Sequence, residues 1–172
     1  MGFFTEHLAS RRDQKELGQG VWRRAHDRFR RGLDRFHQVL EQIQDQDLLA
    51  QVVPVANDLA DLLPRVRQIC VTTQGFAPDQ NQEIPHSDGG WLHDLHRELS
   101  RAGNDLAQAA EALAMARFRS PGVDAVRANE LSLSALTRRT DAVTERVQRA
   151  ENLLRSRGFR APHPPPRSLP TA

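Results

Sequence analysis

Apolar residues recur at alternating steps of three and four along most of the chain, the spacing of one face of an α-helix. A first stripe starts after Gly20, and a polar break at residues 44–47, which carries a candidate N-cap, separates it from a second stripe in a shifted phase. The stripes consist of Trp22, Ala25, Phe29, Leu33, Phe36, Leu40 and Ile43, then Leu48, Val52, Val55, Leu59, Leu62, Val66, Ile69 and Thr73. The pattern predicts helices over about 20–44 and 47–74.

Two prolines, Pro54 and Pro64, fall inside the second stripe. A proline in a helix interior removes a backbone donor and clashes with the preceding turn, at a cost of about 3 kcal/mol. We therefore expect each proline to kink or break the second helix. In an alternative division, the first helix continues through Val53 and the next begins at Pro54, because proline is favoured in a helix's first turn.

The second half of the chain repeats this organisation. Residues 75–89 contain turn-forming residues without periodicity and predict a surface loop, with Ser87 or Asp88 as the cap of the helix that follows. Two more stripes follow. The third begins at Trp91 or Leu92 and continues through Leu95, Leu99, Ala102, Leu106, Ala109, Leu113 and Ala116, and the fourth runs through Val123, Val126, Glu130, Leu133, Leu136, Thr140, Val143, Val147, Ala150 and Leu154. They predict helices over about 90–119 and 121–157, joined by a tight Ser120-Pro121-Gly122 connection.

Each amphipathic stripe must bury its apolar face against a neighbour. The sequence therefore predicts an all-α fold, an elongated antiparallel four-helix bundle with coiled-coil-like heptad packing over residues 18–157. Residues 1–17 are expected to form an arm or a short helix. Gly158 fits a helix C-terminal cap, and the proline-rich segment 158–172 is expected to be a flexible tail.

The composition of the chain indicates the compartment and the kind of organism that we expect for this protein. A single cysteine, Cys70, excludes an internal disulfide, and no run approaches the roughly 18 apolar residues of a membrane-spanning helix. We expect a cytoplasmic protein on these grounds. Lys15 is the only lysine among 24 basic residues, a bias towards arginine that is typical of GC-rich bacterial genomes.

The most pronounced charge feature is a group of arginines on the first helix. They are Arg23, Arg24, Arg28, Arg30, Arg31 and Arg35. Such a basic helix can bind an acidic protein partner, an anionic membrane or a nucleic acid. Acidic residues predominate between Asp45 and Asp88, so the second helix could instead neutralise the first by intramolecular pairing.

Histidines and carboxylates at helical spacing suggest a metal site. Asp34, His37 and Glu41 share one face of the first helix, and His93 and His96 lie three residues apart on the third. This pattern resembles the histidine and carboxylate sites of hemerythrin-like and ferritin-like bundles, without their paired Glu-x-x-His segments. Such a site would use His37, Glu41, His93, His96 and Glu130.

Glu130 and Thr140 lie directly on the fourth stripe. A buried carboxylate is costly unless paired, so Glu130 should meet an arginine or histidine, our preferred account, or lie near a wet end of the bundle.

Sequence motifs for catalysis, cofactor binding or phosphate binding are missing from the chain. We therefore expect a non-enzymatic interaction protein without a cofactor or an evident small-molecule substrate, which binds a protein partner or self-associates. The alternatives are a metal-binding bundle and a peripheral binder of anionic membrane or nucleic acid.

Overall fold

Four long helices account for most of the chain. The computed structural model describes residues 13–79, 82–118 and 123–159, without the side chains of 123–129. The helices are α1 (Val21–Leu40), α2 (Gln46–Phe76), α3 (Trp91–Ala116) and α4 (Val123–Arg155). Residues 13–17 are also helical, and a 3₁₀ turn at Asp88–Gly90 precedes α3. These ranges contain no strand, which confirms the predicted all-α class.

Helix α1 ends four residues before its predicted limit. Beyond Leu40 the backbone tightens, since the amides of Gln42 and Ile43 donate to carbonyls three residues earlier. The Asp45 carboxylate then accepts hydrogen bonds from the amides of Asp47 and Leu48, at 3.0 and 3.1 Å, and caps α2. The polar break therefore marks a helix boundary, as its composition predicted.

Helix α2 continues through Pro54 and Pro64, so the expected breaks do not occur. The alternative division, with a helix starting at Pro54, is also wrong. Both prolines lie on the exposed face, whereas Leu59, Leu62 and Val66 are buried on the opposite one. Burial of a large aliphatic side chain contributes about 1.5–3 kcal/mol, so packing along this stripe offsets the cost of the prolines.

The predicted stripes form the core. Every member with a described side chain is buried except Leu40, Val55 and Leu133, which are partly buried, and Glu130, which is exposed. Of the two candidates for the start of the third stripe, Leu92 is buried and Trp91 is partly buried. The largest fully buried side chains include Trp22, Phe29, Phe36, Leu59, Leu95, Leu99 and Leu106.

Helix α1 runs parallel to α3. The Trp22 ring lies against His96, with 6.0 Å between ring centroids, near the start of both helices. Further along, a Cβ atom on Gly103 would lie 3.5 Å from the backbone nitrogen of Phe29. The absence of a side chain at Gly103 lets the two helices approach closely.

Helix α4 runs antiparallel to α3 and parallel to α2. Arg146 reaches Asp105 and Glu98 on α3, at 2.7 and 3.1 Å. Arg65 of α2 binds both carboxylate oxygens of Glu151, at 2.7 and 2.9 Å. The chain thus forms two helical hairpins packed side by side, with parallel α1–α3 and α2–α4 contacts between them.

The helices share two ends. We call the end with Trp22, Phe76, Trp91 and Phe159 the aromatic end, and the end where α1 meets α2 and α3 meets α4 the hairpin end. At the aromatic end, Phe76 stacks on Trp91 and on Phe159, with ring centroids 5.7 and 4.1 Å apart. Gly158 has a positive φ of 84°, and its amide and that of Phe159 donate to α4 carbonyls, so the predicted cap is confirmed.

Helix α1 is capped at the aromatic end by a residue distant in sequence. The buried Asp79 carboxylate accepts a hydrogen bond from the Val21 amide at 2.6 Å, and the Trp22 indole donates to the Ala77 carbonyl at 3.1 Å. A Cβ atom on Gly20 would lie 2.0 Å from an Asp79 oxygen, so only glycine fits beside this cap. The predictions for residues 1–12, for the 120–122 connection and for 160–172 lie outside the described residues.

Candidate functional site

Four arginines of α1 form a straight exposed line along the helix. Arg24, Arg28, Arg31 and Arg35 occupy positions i, i+4, i+7 and i+11, and all four are exposed. At 1.5 Å per residue, the line is about 16 Å long. We call these four residues the arginine stripe. Arg30 is exposed to one side of it and Arg23 is half-buried.

The arginine stripe is largely free of intramolecular pairing. Arg24 donates to the Gln82 carbonyl at 3.1 Å, and the neighbouring Arg23 pairs with Asp27 at 2.8 Å. Within the ranges that the structure describes, Arg28, Arg30, Arg31 and Arg35 form no ion pair. The ion pairs between elements lie elsewhere: Arg65–Glu151, Arg67–Asp13, Arg67–Glu16, Arg146–Asp105, Arg146–Glu98 and Arg149–Glu98. The expected neutralisation of the first helix by the second is therefore not found among these residues.

A cleft of about 500 Å³ lies beside the start of the arginine stripe. α1, α3 and the segment 82–84 line it, because α1 and α3 run parallel and residues 82–84 lie beside the first turns of both helices. Its polar and charged lining residues are Arg24, Arg28, Gln82, Glu83, His93, His96 and Ser100. Val21, Ala25 and Ile84 supply apolar surface. The fold thus unites two arginines and two histidines that sequence reasoning had assigned to different hypotheses.

The electrostatics of this cleft favour an anion. Burial lowers the pKa of the His96 imidazole below its ordinary value, and the positive charges of Arg28 and Arg24 and the neighbouring His93 lower it further. A positive field that disfavours a proton on His96 equally favours a negatively charged ligand. Glu83 is the one carboxylate in the lining, and it is exposed.

The candidate metal ligands do not converge. His93 and His96 line the cleft, and His93 is exposed. His37 lies 15 residues beyond Trp22, about 22 Å further along α1. Glu41, directly after the end of α1, is exposed. In residues 13–79, 82–118 and 123–159, no group of three or more His, Cys, Asp or Glu is arranged to hold a metal ion.

Glu130 and Thr140 have different surroundings. Glu130 is exposed near the start of α4, at the hairpin end, which agrees with a wet end and not with the preferred buried pair. Thr140 is buried, and its hydroxyl donates to the Thr137 carbonyl at 2.9 Å. Neither residue contributes to the cleft.

Sequence reasoning missed a buried histidine. His26 is only 3% exposed, and its Nδ1 lies 3.1 Å from an Asp27 carboxylate oxygen. Burial lowers the pKa of His26, although the Asp27 hydrogen bond acts in the opposite direction. Its position four residues after Trp22 and three before Phe29 places it on the first stripe, a signal that could have identified it. Burial also raises the pKa of the Cys70 thiol to about 12, so this cysteine is an inert core residue.

Membrane spanning is not indicated in the described part of the chain, where every helix is too short or too polar for it. Comparisons with protein-family models, with curated proteins and with solved structures found no match. The functional assignment therefore rests on the geometry of the arginine stripe and the cleft.

Proposed function

We propose that this protein is a non-enzymatic interaction module, a four-helix bundle that binds an acidic partner protein through the arginine stripe. The ring of contacts from α1 to α2, α4, α3 and back to α1 supports the bundle architecture. The observation that carries the function is the exposed line of Arg24, Arg28, Arg31 and Arg35. Guanidinium groups in a row, without an ion-pair partner in the described part of the chain, suit carboxylates on a facing protein surface.

A protein partner is favoured over a lipid surface. A helix that binds a membrane interface inserts its apolar face between the lipids. In α1 that face consists of Trp22, Phe29 and Phe36, each of which is fully buried. Only the charged side of α1 is available for binding, and no aromatic side chain on it could stack against nucleic-acid bases.

The test is charge reversal on the arginine stripe, away from the cleft. The variant Arg31→Glu/Arg35→Glu is compared with Arg138→Glu/Arg155→Glu, which makes the same charge change at exposed arginines of α4. Both are used as affinity baits in extract of the native host, and each captured protein is then purified and its affinity measured. We expect a partner that wild type and the α4 variant bind and that the stripe variant loses at least about tenfold.

Salt dependence provides the second arm of this test. Binding through exposed charges weakens as the Debye length shrinks, so the affinity should fall steeply between about 0.05 and 0.3 M salt. Equal loss in both variants, or an affinity independent of salt, would show that the arginine stripe is not the binding surface.

Self-association is a second candidate, favoured by apolar side chains at the hairpin end. Met115, Phe118 and Leu131 are 78%, 75% and 64% exposed. Contiguous exposed apolar surface is typical of interfaces between copies of a chain. Sedimentation equilibrium over a range of concentrations tests it: a dimer that Phe118→Ser/Leu131→Ser converts to monomer supports this candidate, and a monomer at every concentration rejects it.

A further inference from the structure

The cleft has the chemistry of a site for a small ligand. Binding of a partner protein along the arginine stripe does not require the cleft to be occupied. Its volume of about 500 Å³ lies within the range typical of ligand pockets, about 300–1,000 Å³. Its lining is mainly polar and charged, with Val21, Ala25 and Ile84 as a smaller apolar part, which suits a ligand that combines an anionic group with an apolar portion. The two proposals share Arg24 and Arg28, but neither depends on the other.

The positions of the charged groups indicate which ligand fits. Arg24 and Arg28 are one helical turn apart on α1, so both guanidinium groups can approach a single anion from the same side. His96 and Ser100 are one turn apart on α3, at the opposite wall. Two guanidinium forks facing an imidazole and a hydroxyl offer donors on both sides of a tetrahedral oxyanion.

Arg28 is held in place more firmly than Arg24. The Arg28 side chain packs over α3, where a Cβ atom on Gly103 would lie 3.0 Å from Arg28 Cγ. The stem is therefore held against the neighbouring helix, whereas the guanidinium has no ion-pair partner among the described residues. A positioned but unpaired guanidinium loses little side-chain entropy when it binds an anion.

We propose that this cleft binds the phosphoryl group of a small phosphate monoester, with Arg24 and Arg28 paired to its oxygens and His96 and Ser100 as hydrogen-bond donors. The organic part of the ester lies against Val21, Ala25 and Ile84, since a bare phosphate would leave most of the volume unfilled. Glu83, at the rim, disfavours a second phosphoryl group there and accepts a hydrogen bond from a ligand hydroxyl.

Protonation of His96 accompanies binding. Burial and, to a lesser extent, the cationic neighbours lower the pKa of His96 in the free protein. A bound dianion offsets the charge of these neighbours, which raises the pKa of His96 on binding. The groups that face this imidazole are Arg24 and Arg28 from α1 and His93 from its own helix, with Glu83 of the loop in the same lining. Binding therefore takes up a proton, and it strengthens as the pH falls from neutral towards about 6, below which the monoester loses its second charge.

The experiment is a titration of the full chain with phenyl phosphate, inorganic phosphate and phenol, followed by NMR of the histidine side-chain nitrogens. We expect the His96 signals to shift saturably towards the protonated form with phenyl phosphate, at a Kd of about 1 mM or tighter. Inorganic phosphate should bind more weakly and phenol should have no effect.

Matched variants locate the site. Arg28→Gln and Ser100→Ala should each weaken phenyl phosphate binding, Arg28→Gln by about tenfold or more because a charge-assisted hydrogen bond is lost. Arg35→Gln removes the same charge from the arginine stripe beyond the cleft and should change the affinity less than about twofold. The NMR spectrum of each variant reports whether it is folded. The variant Arg31→Glu/Arg35→Glu, which should lose the partner protein, should still bind phenyl phosphate, so the two proposals can fail separately.

Three results would overturn the proposal. The first is no saturable shift of His96 at about 10 mM phenyl phosphate, ten times the expected Kd. The second is an equal loss of affinity in Arg28→Gln and Arg35→Gln, which would indicate diffuse charge attraction. In the third, a phosphoserine peptide binds to the cleft and phenyl phosphate does not, which would assign the site to a phosphorylated protein.

Discussion

The two ends of the helices differ in how they are closed. At the aromatic end, contacts between residues more than 50 positions apart fix the start of α1: Asp79 to the Val21 amide and Trp22 to the Ala77 carbonyl. At the hairpin end, the cap of α2 is local, from Asp45, and large apolar side chains such as Phe118 are exposed. The cleft adjoins the closed end, where its walls are held in place. The candidate self-association surface lies at the open one.

Truncation of Trp22 and truncation of Phe118 should differ most in their effect on the free energy of unfolding. Trp22→Ala should lower the free energy of unfolding by about 3–5 kcal/mol, since it leaves a cavity in the core and an unpaired Ala77 carbonyl. Phe118→Ala should change it by less than about 0.5 kcal/mol in the monomer, because that ring is already in water. Urea unfolding curves measure both values. A similar loss at both positions would remove the contrast between the ends.

Removal of the two capping carboxylates, Asp79 and Asp45, should give the next largest difference in the free energy of unfolding. Asp79→Ala should cost about 2 kcal/mol, because it leaves the buried Val21 amide without its partner, whereas Asp45→Ala at an exposed cap should cost about 1 kcal/mol. Asp79→Asn retains an acceptor and should recover part of the loss. Equal costs for the two alanine variants would mean that the long-range cap is no stronger than the local one.

The helices themselves were predictable because each is determined by a repeating pattern. The spacing of Trp22, Phe29 and Phe36 gave the buried face of α1, and the same logic succeeded in the other three helices. It failed at Pro54 and Pro64, where the local cost of proline is smaller than the tertiary packing of the stripe. Local rules cannot evaluate packing against helices that are not adjacent in sequence.

The cleft was not predictable as a site. Its arginines and histidines come from helices about 70 residues apart in sequence, and only the parallel α1–α3 packing unites them. An antiparallel α1–α3 pair would have placed His96 near the other end of α1. The residue types and the helix faces on which they lie could be predicted from the sequence. The relative direction of α1 and α3 could not, because it depends on the path of the 77–90 segment.

Arginine contacts at the two ends should contribute less than the caps. Arg67 ties the helical segment 13–17 to α2 near the aromatic end, through Asp13 at 3.0 Å and Glu16 at 2.6 Å. Arg67→Met should lower the free energy of unfolding by about 1 kcal/mol, since the pairs are partly buried. Arg117→Met at the hairpin end removes an exposed hydrogen bond to Gln42 and should cost less than about 0.5 kcal/mol. Both are measured in urea, and a larger loss for Arg117→Met would reverse the order of the two ends.

The smallest effect that we expect is a dependence of stability on pH through His26. Burial lowers the pKa of His26 below its ordinary value of 6.5, and the hydrogen bond between His26 and the Asp27 carboxylate limits this decrease. As the pH falls through 6.5, the unfolded chain takes up a proton that the folded chain does not, so the free energy of unfolding decreases. Above that pH the contribution is fully present.

The variant His26→Leu tests this dependence, because leucine fills the buried site and cannot take up a proton. The readout is the change in unfolding free energy between about pH 7.5 and about pH 5.5, not its absolute level. The change should be smaller in His26→Leu than in wild type, and smaller again in His26→Leu/His96→Leu, since burial also lowers the pKa of His96. An identical change in all three proteins would show that neither His26 nor His96 is linked to folding, and the aromatic end would then owe its stability to packing and caps alone.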